Sequence, residues 1–166
     1  MLTIETRIRF LFDEKIVGVI RTRTASDALN VVRALVAGGF KAVEVPMTVP
    51  DAVNVLKELV QTVGDGVMVG AGTVMTAADA RACIEAGCQF IVAPSAEFEI
   101  IRPCREAGVV AIPGAATPTE IAACWRAGAQ LVGLTNELMP QNLMEANNWD
   151  GIRDHARACL ATAKGA

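Results

Sequence analysis

Repeated strand–helix units in this sequence predict an α/β fold built on a parallel sheet. Glycines recur at roughly regular intervals, and each is followed by a short apolar run; they are Gly38, Gly66, Gly87, Gly108 and Gly128. Amphipathic helical stretches precede most of these runs. A glycine just past a helix end supplies a left-handed position, and a short continuous apolar run suits a strand that is buried on both faces. Alternation of the two patterns indicates βα units.

Six apolar runs are the predicted strands. In chain order they occupy residues 16–21, 41–47, 67–71, 89–93, 109–113 and 130–134. Units this short, without a long crossover or a GxGxxG pattern, favour a TIM-type (β/α) barrel over a doubly wound sheet. A full barrel of eight strands takes about 200 residues or more. The 166 residues therefore predict one domain, 1–166, with a barrel truncated to about six βα units.

Threonine or serine stands where several of the helices should begin. The expected helices are 27–36 after Thr24 or Ser26, 77–86 after Thr76, one that opens with TPTE at 117–120, and a last one at 149–163. TPTE has the pattern of a capping box with proline just inside the helix.

Composition and charge restrict the class of partner. The formal net charge is −3, which offers no electrostatic reason to bind nucleic acid or an anionic membrane. Small molecules and other proteins are left as the expected partners. The charged start of the chain does not have the pattern of a secretory signal, and no apolar stretch reaches the roughly 18 residues of a membrane span. A cytoplasmic location is expected.

Cysteine and histidine give no pattern for a metal site. The five cysteines form an odd set without a CxxC pair; they are Cys83, Cys88, Cys104, Cys124 and Cys159. Buried thiols in a reducing compartment are favoured over a disulfide framework or metal ligands. The single histidine, His155, is more typical of a surface or hydrogen-bonded helical residue than of a catalytic one. We expect no metal and no cofactor.

The carboxyl ends of the strands are where a (β/α) barrel holds its active site. The polar residues expected there are Arg21, Glu44, Thr48, Thr73, Ser95 and Thr117. Glu44 lies inside its strand, so a barrel places its carboxyl group in the apolar interior. Desolvation there raises the pKa of a carboxyl group, which suits a general acid/base. The structural alternative is a glutamate paired with Arg21, and both roles can hold together.

Two loops have alternative interpretations. GAGTV at 70–74 is either a backbone cradle for an anion or a tight turn between strand and helix. PGAATPTE at 113–120 ends a strand and opens a helix, whose free N–H groups can receive a carboxylate or phosphate. By itself the second pattern is mainly a capping signal.

Four segments, taken in order and spacing, resemble one family. They are IVGVIR, ALVAGGFKAVEVPMTVPDAV, VGAGTVMTAADARACIEAGCQFIVAPS and GVVAIPGAATPTEI. Together they resemble the 2-keto-3-deoxy-6-phosphogluconate / 4-hydroxy-2-oxoglutarate aldolases, including the phosphogalactonate branch. The resemblance covers residues 1 to about 130 and resumes over 132–163. It implies a class I aldolase, usually trimeric, that cleaves a 2-keto-3-deoxy sugar acid to pyruvate and an aldehyde without a metal.

The resemblance also implies roles for individual residues. Glu44 matches the glutamate that transfers protons while a lysine holds the keto acid as a Schiff base. The expected substrate-binding residues are Arg21, Thr48, Thr73, Pro94, Pro113 and Thr117. The family's eighth strand contacts phosphate through a glycine–serine pair, and this chain has Thr135 and Asn136 there instead.

The lysine pattern of the family is the main departure. A KxFP pattern on the sixth strand and a TGG loop on the seventh are both missing from the sequence. GLTNELMP at 133–140 fits the eighth strand better than the sixth, and an ungapped alignment puts Gly133 where lysine should stand. These observations predict that strands 6 and 7 of the family, about forty residues, are absent.

The four lysines are not expected to replace the Schiff-base lysine. Lys15 and Lys41 precede strands, Lys57 belongs to a helix and Lys164 to the tail. The sequence therefore leaves two hypotheses. The chain is an aldolase whose activity is lost or reduced, or it is a non-catalytic remnant of the fold that binds a keto acid or assembles with itself. Loss of two strands would expose sheet edges unless they pair or a partner covers them. The alternatives are oligomerisation, strand exchange or a sequence deleted from a longer parent, and a homo-oligomer is the expected partner state.

Overall fold

A computed structural model of the chain describes residues 3–133, 141–146 and 148, and five isolated residues at 151, 154, 155, 158 and 162. In chain order its elements are α1 (Ile4–Glu14), β1 (Gly18–Val19), α2 (Ala25–Ala37), β2 (Ala42–Pro46), α3 (Ala52–Thr62), β3 (Met68–Gly72), α4 (Ala77–Glu85), β4 (Phe90–Val92), a 3₁₀ turn (Phe98–Ile100), α5 (Ile101–Ala107), β5 (Val110–Ile112), α6 (Pro118–Ala127) and α7 (Gln141–Glu145).

The sheet confirms the α/β prediction. Its five strands are all parallel and lie in the order β1-β2-β3-β4-β5, so every neighbour in space is also the next strand in sequence. In a (β/α) barrel each new strand is added on the same side of the previous one, whereas a doubly wound sheet reverses its strand order. The order observed here is that of a barrel. All of their carboxyl ends consequently meet at one edge.

The sixth predicted strand, at 130–134, is described only as far as residue 133, and the described part is paired at a single residue. A single parallel bridge joins Gly133 to Gly114, just beyond β5. The side chain of Gln130 accepts a hydrogen bond from the backbone N–H of Ala111 at 3.0 Å, as Gln89 does from the N–H of Val69 just before β4. The segment lies beside β5, the position that a sixth strand takes in a sequential sheet. The predicted last helix, 149–163, lies largely outside the described residues.

Side chains of the strands alternate between two apolar layers. Val43, Val45 and Val69 belong to the large core between the sheet and its helices. Met68 and Phe90 belong to a smaller cluster on the inner face of the sheet. Both faces are therefore buried, as the continuous apolar runs predict.

Helix α1 covers the amino-terminal end of this inner face, which sequence reasoning did not foresee. Thr3 caps it, and its buried residue Leu11 packs in the inner cluster with Met68 and Phe90. The inner face is less well covered along β1, where Val19 is 49% exposed.

The helix caps follow the predicted pattern. Thr24, Thr76 and Thr117 are N-cap residues whose hydroxyl groups accept hydrogen bonds from the third residue of the helix. TPTE forms a full capping box, because the Glu120 carboxylate also accepts from the Thr117 N–H group.

Three of the described cysteines lie near the ends of helices. Cys83, Cys104 and Cys124 each accept a backbone hydrogen bond from the residue five positions later, as at the ends of Schellman motifs. These three and Cys88 are buried and free. Burial raises the pKa of the Cys104 thiol to about 12. The described cysteines are packing residues, as expected, and Cys159 lies outside the described residues.

Within the described part of the chain, none of the helices has the length and apolar character needed to cross a membrane.

Candidate functional site

Glu44 lies in the middle of β2, on the inner face of the sheet. Its Cα pairs in register with Val19 on β1 and with Gly70 on β3. Side chains alternate along a strand, so Glu44 shares the inner face with Ala42 of the inner cluster. Only 9% of the residue is exposed. The prediction that the fold buries this carboxyl group is therefore supported by its position.

Two glycines of β3 make room on the inner face. A Cβ atom added to Gly72 would lie 1.7 Å from Oε1 of Glu44, and one added to Gly70 would lie 2.3 Å from the ring of Phe90. Gly70 and Gly72, the first and third residues of GAGTV, therefore leave space on the inner face for the Phe90 ring and the Glu44 carboxyl group. Neither interpretation of GAGTV from the sequence included this role. The sequence signal was present, because small residues opposite a large or charged residue on a neighbouring strand indicate such a fit.

The environment of Glu44 favours its neutral form. Among the described residues its carboxyl group has no hydrogen bond and no ion pair. Burial raises its pKa to about 7, and the positive charge of Arg21 opposes that rise. The structural alternative, a direct Glu44–Arg21 ion pair, is not formed. A carboxyl group that titrates near neutrality can both accept and donate a proton.

Three predicted substrate-binding residues follow neighbouring strands close to Glu44. Arg21 and Thr48 are exposed just after β1 and β2, and Thr73 is half-buried directly after β3. The backbone N–H of Met47 donates to the carbonyl of Gly72 at 2.7 Å, which joins the ends of β2 and β3. Thr73 has φ 55°, a left-handed conformation that is rare for a β-branched residue. The tight turn in GAGTV is therefore made at its threonine.

The ends of β4 and β5 are also joined. The N–H of Gly114 donates to the carbonyl of Ser95 at 3.0 Å, and a Cβ atom at Gly114 would lie 2.5 Å from the carbonyl oxygen of Pro94. Pro113, which precedes Gly114, is buried, whereas Pro94 is exposed. Both prolines thus stand at the same edge of the sheet as Glu44.

Thr117 is exposed at the start of α6, and its hydroxyl oxygen accepts from the N–H of Glu120 at 3.2 Å. The Glu120 carboxylate accepts from the N–H groups of Ala116 and Thr117 at 2.7 and 3.2 Å. In the first turn of α6, Pro118 has no N–H group and the N–H of Glu120 is taken by Thr117, while the Glu120 carboxylate itself occupies the helix start. The geometry favours the capping interpretation of PGAATPTE.

The described lysines lie away from this edge. Lys15 ends α1, Lys57 is exposed on α3, and Lys41 precedes β2, where its ammonium group pairs with Glu14 at 3.1 Å. Lys164, and the expected phosphate contacts Thr135 and Asn136, lie outside the described residues.

The family model described as "KDPG and KHG aldolase" matches residues 8–136. The chain belongs to this family.

Curated relatives agree with this assignment. The 2-dehydro-3-deoxy-6-phosphogalactonate aldolase of Escherichia coli (strain K12) is 36% identical over 115 residues, which are 69% of this chain and 56% of the relative. The 2-dehydro-3-deoxy-phosphogluconate aldolase of Treponema pallidum is 33% identical over 118 residues, 71% of this chain and 56% of the relative. The chain thus spans little more than half the length of these relatives.

Solved structures show the same fold. A structure titled "Native KDPGal structure" is 31% identical with a TM-score of 0.68, and the match covers 83% of this chain and 65% of that one. A cube-shaped protein cage "designed by fusing symmetric oligomeric domains" contains a chain with the same identity and TM-score, of which 50% is covered. The TIM-type prediction is confirmed.

Proposed function

We propose that this chain binds a short 2-keto acid at the edge of the sheet beside Glu44 and exchanges protons at the carbon next to the keto group. The observation that carries the proposal is Glu44 itself, a buried carboxyl group with a pKa of about 7 whose Oε1 atom lies beside Gly72, the last residue of β3. The relatives are named as aldolases of 2-dehydro-3-deoxy sugar acids. In aldol chemistry of that kind, pyruvate leaves as an enol that must be protonated at this carbon.

The residues have complementary roles in this step. Glu44 in its ionised form removes a proton from the carbon next to the keto group, and the resulting acid returns a proton to the enolate. Arg21 supplies a positive charge for the carboxylate of the keto acid. Thr48, Thr73 and Thr117 offer hydroxyl groups around the substrate, with Pro94 and Pro113 as apolar walls.

Cleavage of a 2-keto-3-deoxy-6-phosphogluconate-type or 4-hydroxy-2-oxoglutarate substrate needs more than this step. A class I aldolase uses a lysine amine of lowered pKa to form a Schiff base. None of the three described lysines lies at the edge that carries Glu44. We therefore propose that these 166 residues retain weak proton exchange and have lost, or strongly reduced, aldol cleavage.

Proton exchange is tested with pyruvate in D₂O, where NMR follows the loss of the methyl protons. Glu44→Gln keeps the shape of the side chain and removes the base, so the rate should fall by about a hundredfold or more. Glu85→Gln, an exposed glutamate at the end of α4, is the matched control and should leave the rate unchanged. An unchanged rate in Glu44→Gln would exclude the proposed role.

The absence of a lysine amine that forms a Schiff base is tested by borohydride reduction in the presence of pyruvate, followed by intact-mass measurement. We expect no added mass, because no described lysine reaches the keto acid. A covalent adduct on any lysine would show that the Schiff-base route survives.

The alternative function, a remnant that assembles with itself, is favoured by one specific observation. Large apolar side chains remain exposed on and near the inner face; they are Phe12, Ile16 and Val19. The resemblance implies a trimer, and the similar cage chain is described as built from symmetric oligomeric domains. A second copy of the chain would cover this surface.

Light scattering after size-exclusion chromatography tests the assembly. Val19→Lys puts a charge on the inner face and should shift the chain towards monomer. Val31→Lys, at a 39% exposed valine on the outer helix α2, is the control and should leave the mass unchanged. If wild type is monomeric at high concentration, self-assembly is excluded.

A further inference from the structure

The aromatic ring of Phe90 lies against the same stretch of β3 as the Glu44 carboxyl group. Phe90 is the first residue of β4 and is fully buried. Its Cα pairs in register with Gly70, and Gly70 pairs on its other side with Glu44. The side chains of Phe90 and Glu44 therefore face the inside of the sheet at the same level, on either side of a residue that has no side chain.

Two glycines of β3 bring the ring and the carboxyl group next to each other. A Cβ atom added to Gly70 would overlap the Cδ2, Cε2 and Cζ atoms of the Phe90 ring. A Cβ atom added to Gly72 would overlap Oε1 of Glu44. Gly70 and Gly72 are two residues apart on one strand, so the two places are only about 7 Å apart. The ring and the carboxyl group are thus neighbours on the inner face.

The surroundings of the carboxyl group differ on its two sides. On the side of the ring, Phe90 packs in the inner cluster with apolar side chains, which are Leu11 of α1 and, on the strands, Ala42, Met68 and Val110. The residue of β1 that pairs with Glu44, Val19, is also uncharged. Arg21, exposed after β1, is the described charged group that acts on the carboxyl group, and it favours the ionised form. Desolvation must therefore come from the apolar side.

We propose that Phe90 is a positioning residue of the site proposed above, whose ring covers the inner side of the Glu44 carboxyl group and keeps water away from it. Water on that side would solvate the carboxylate and favour the ionised form. With the ring in place this solvation is lost, so the carboxyl group can hold a proton near neutral pH, as proton exchange requires. The effect on exchange rests on the function proposed for Glu44, whereas the exclusion of water does not.

Three substitutions separate the reach of the ring from its contribution to packing. Phe90→Leu ends at its Cδ atoms, so it lacks the Cε2 and Cζ atoms that lie over Gly70, and water gains access to the carboxyl group. Phe90→Met is apolar and unbranched and reaches as far as the ring, so it should keep water out. Phe40→Leu makes the same change in the large core, near Gly18, and is the matched control.

The test follows the carboxyl carbon of Glu44 by ¹³C NMR as pH is varied, in the full chain labelled at the glutamate side-chain carboxyl and without substrate. Glu44→Gln identifies the signal by its loss. The wild-type midpoint should lie at a pH of about 7. In Phe90→Leu it should fall by about one pH unit, a tenfold rise in the acid dissociation constant. Phe90→Met and Phe40→Leu should keep the wild-type midpoint.

Proton exchange with pyruvate in D₂O supplies a second readout. In Phe90→Leu the pH of half-maximal exchange should fall together with the NMR midpoint, whereas a loss of packing alone would lower stability and leave both unchanged. An unchanged midpoint in Phe90→Leu, or an equal fall in Phe90→Met or Phe40→Leu, would overturn the proposal. If the midpoints move as expected and wild type exchanges no protons, the role of Phe90 stands and the function proposed for Glu44 fails.

Discussion

Glu44 and Arg7 are ionisable side chains buried towards opposite ends of the sheet. Burying a charge costs free energy in both places, but only Glu44 can become neutral near pH 7. Glu44 at the carboxyl end and Arg7 at the amino end are 9% and 8% exposed. Burial raises the pKa of Glu44 to about 7, so this group avoids the cost of a buried charge by taking up a proton. Burial also lowers the pKa of Arg7, but a guanidinium group remains charged under ordinary conditions. Similar burial therefore leaves a carboxyl group with a raised pKa in one place and, in the other, a charge whose guanidinium group donates to the carbonyl of Gly108.

The largest change in the free energy of unfolding should come from ionisation of Glu44 as pH rises. In the unfolded chain its pKa is near the ordinary value of 4.5, and in the folded chain it is about 7. Stability is therefore greatest below about 4.5 and falls as pH rises through about 7. The full difference is on the order of 3 kcal/mol. Denaturant unfolding of Glu44→Gln across this range should lack this loss and should show higher stability than wild type above pH 7.

Glu85→Gln serves as the control for this pH series and should follow the wild-type curve. If Glu44→Gln loses stability with pH as steeply as wild type does, Glu44 is not the group that titrates. The contrast with Arg7 would then lose its basis.

A smaller loss of stability is expected when a methyl group at Gly72 fills the space beside Glu44. Gly72→Ala places a methyl group where Oε1 of Glu44 now lies, so the carboxyl group must move. Overpacking of this kind should cost about 2 kcal/mol and should also slow proton exchange with pyruvate. Gly66→Ala is the control, because nothing lies within 4 Å of its added Cβ atom. Equal stability of the two variants in denaturant unfolding would contradict the described position of Glu44.

The smallest effect should appear at Thr117, which caps α6 at the carboxyl end. Thr117→Ala removes the acceptor for the N–H of Glu120 and should cost about 1 kcal/mol in thermal unfolding. Its hydroxyl proton is left to donate to a substrate, so the apparent KM for pyruvate exchange should rise as well. Thr117→Ser should restore both quantities. A change in stability without a change in KM would limit Thr117 to capping.

Sequence patterns predicted much of the fold, because helix caps and buried strands depend on residues that are close together in the chain. Thr24, Thr76 and Thr117 were expected as caps, and five of the six apolar runs expected as strands contain strands, since burial on both faces requires such runs to be continuous. The position of Glu44 within such a run also indicated a desolvated carboxyl group. Of the sixth run, 130–134, the described residues pair with the segment after β5 only at Gly133, and residue 134 lies outside them.

The sequence by itself determined the α/β class and the family, and it singled out Glu44 as the candidate acid/base, because repeat spacing and residue order carry that information. Only the tertiary structure decided that Gly72 makes room for this carboxyl group, that no ion pair joins it to Arg21, and that Arg7 is buried. The physical reason is that each of these depends on atoms brought together from separate strand–helix units. Arg7 and Gly108 lie about a hundred residues apart in the chain, and only the folded sheet places the guanidinium group beside that carbonyl.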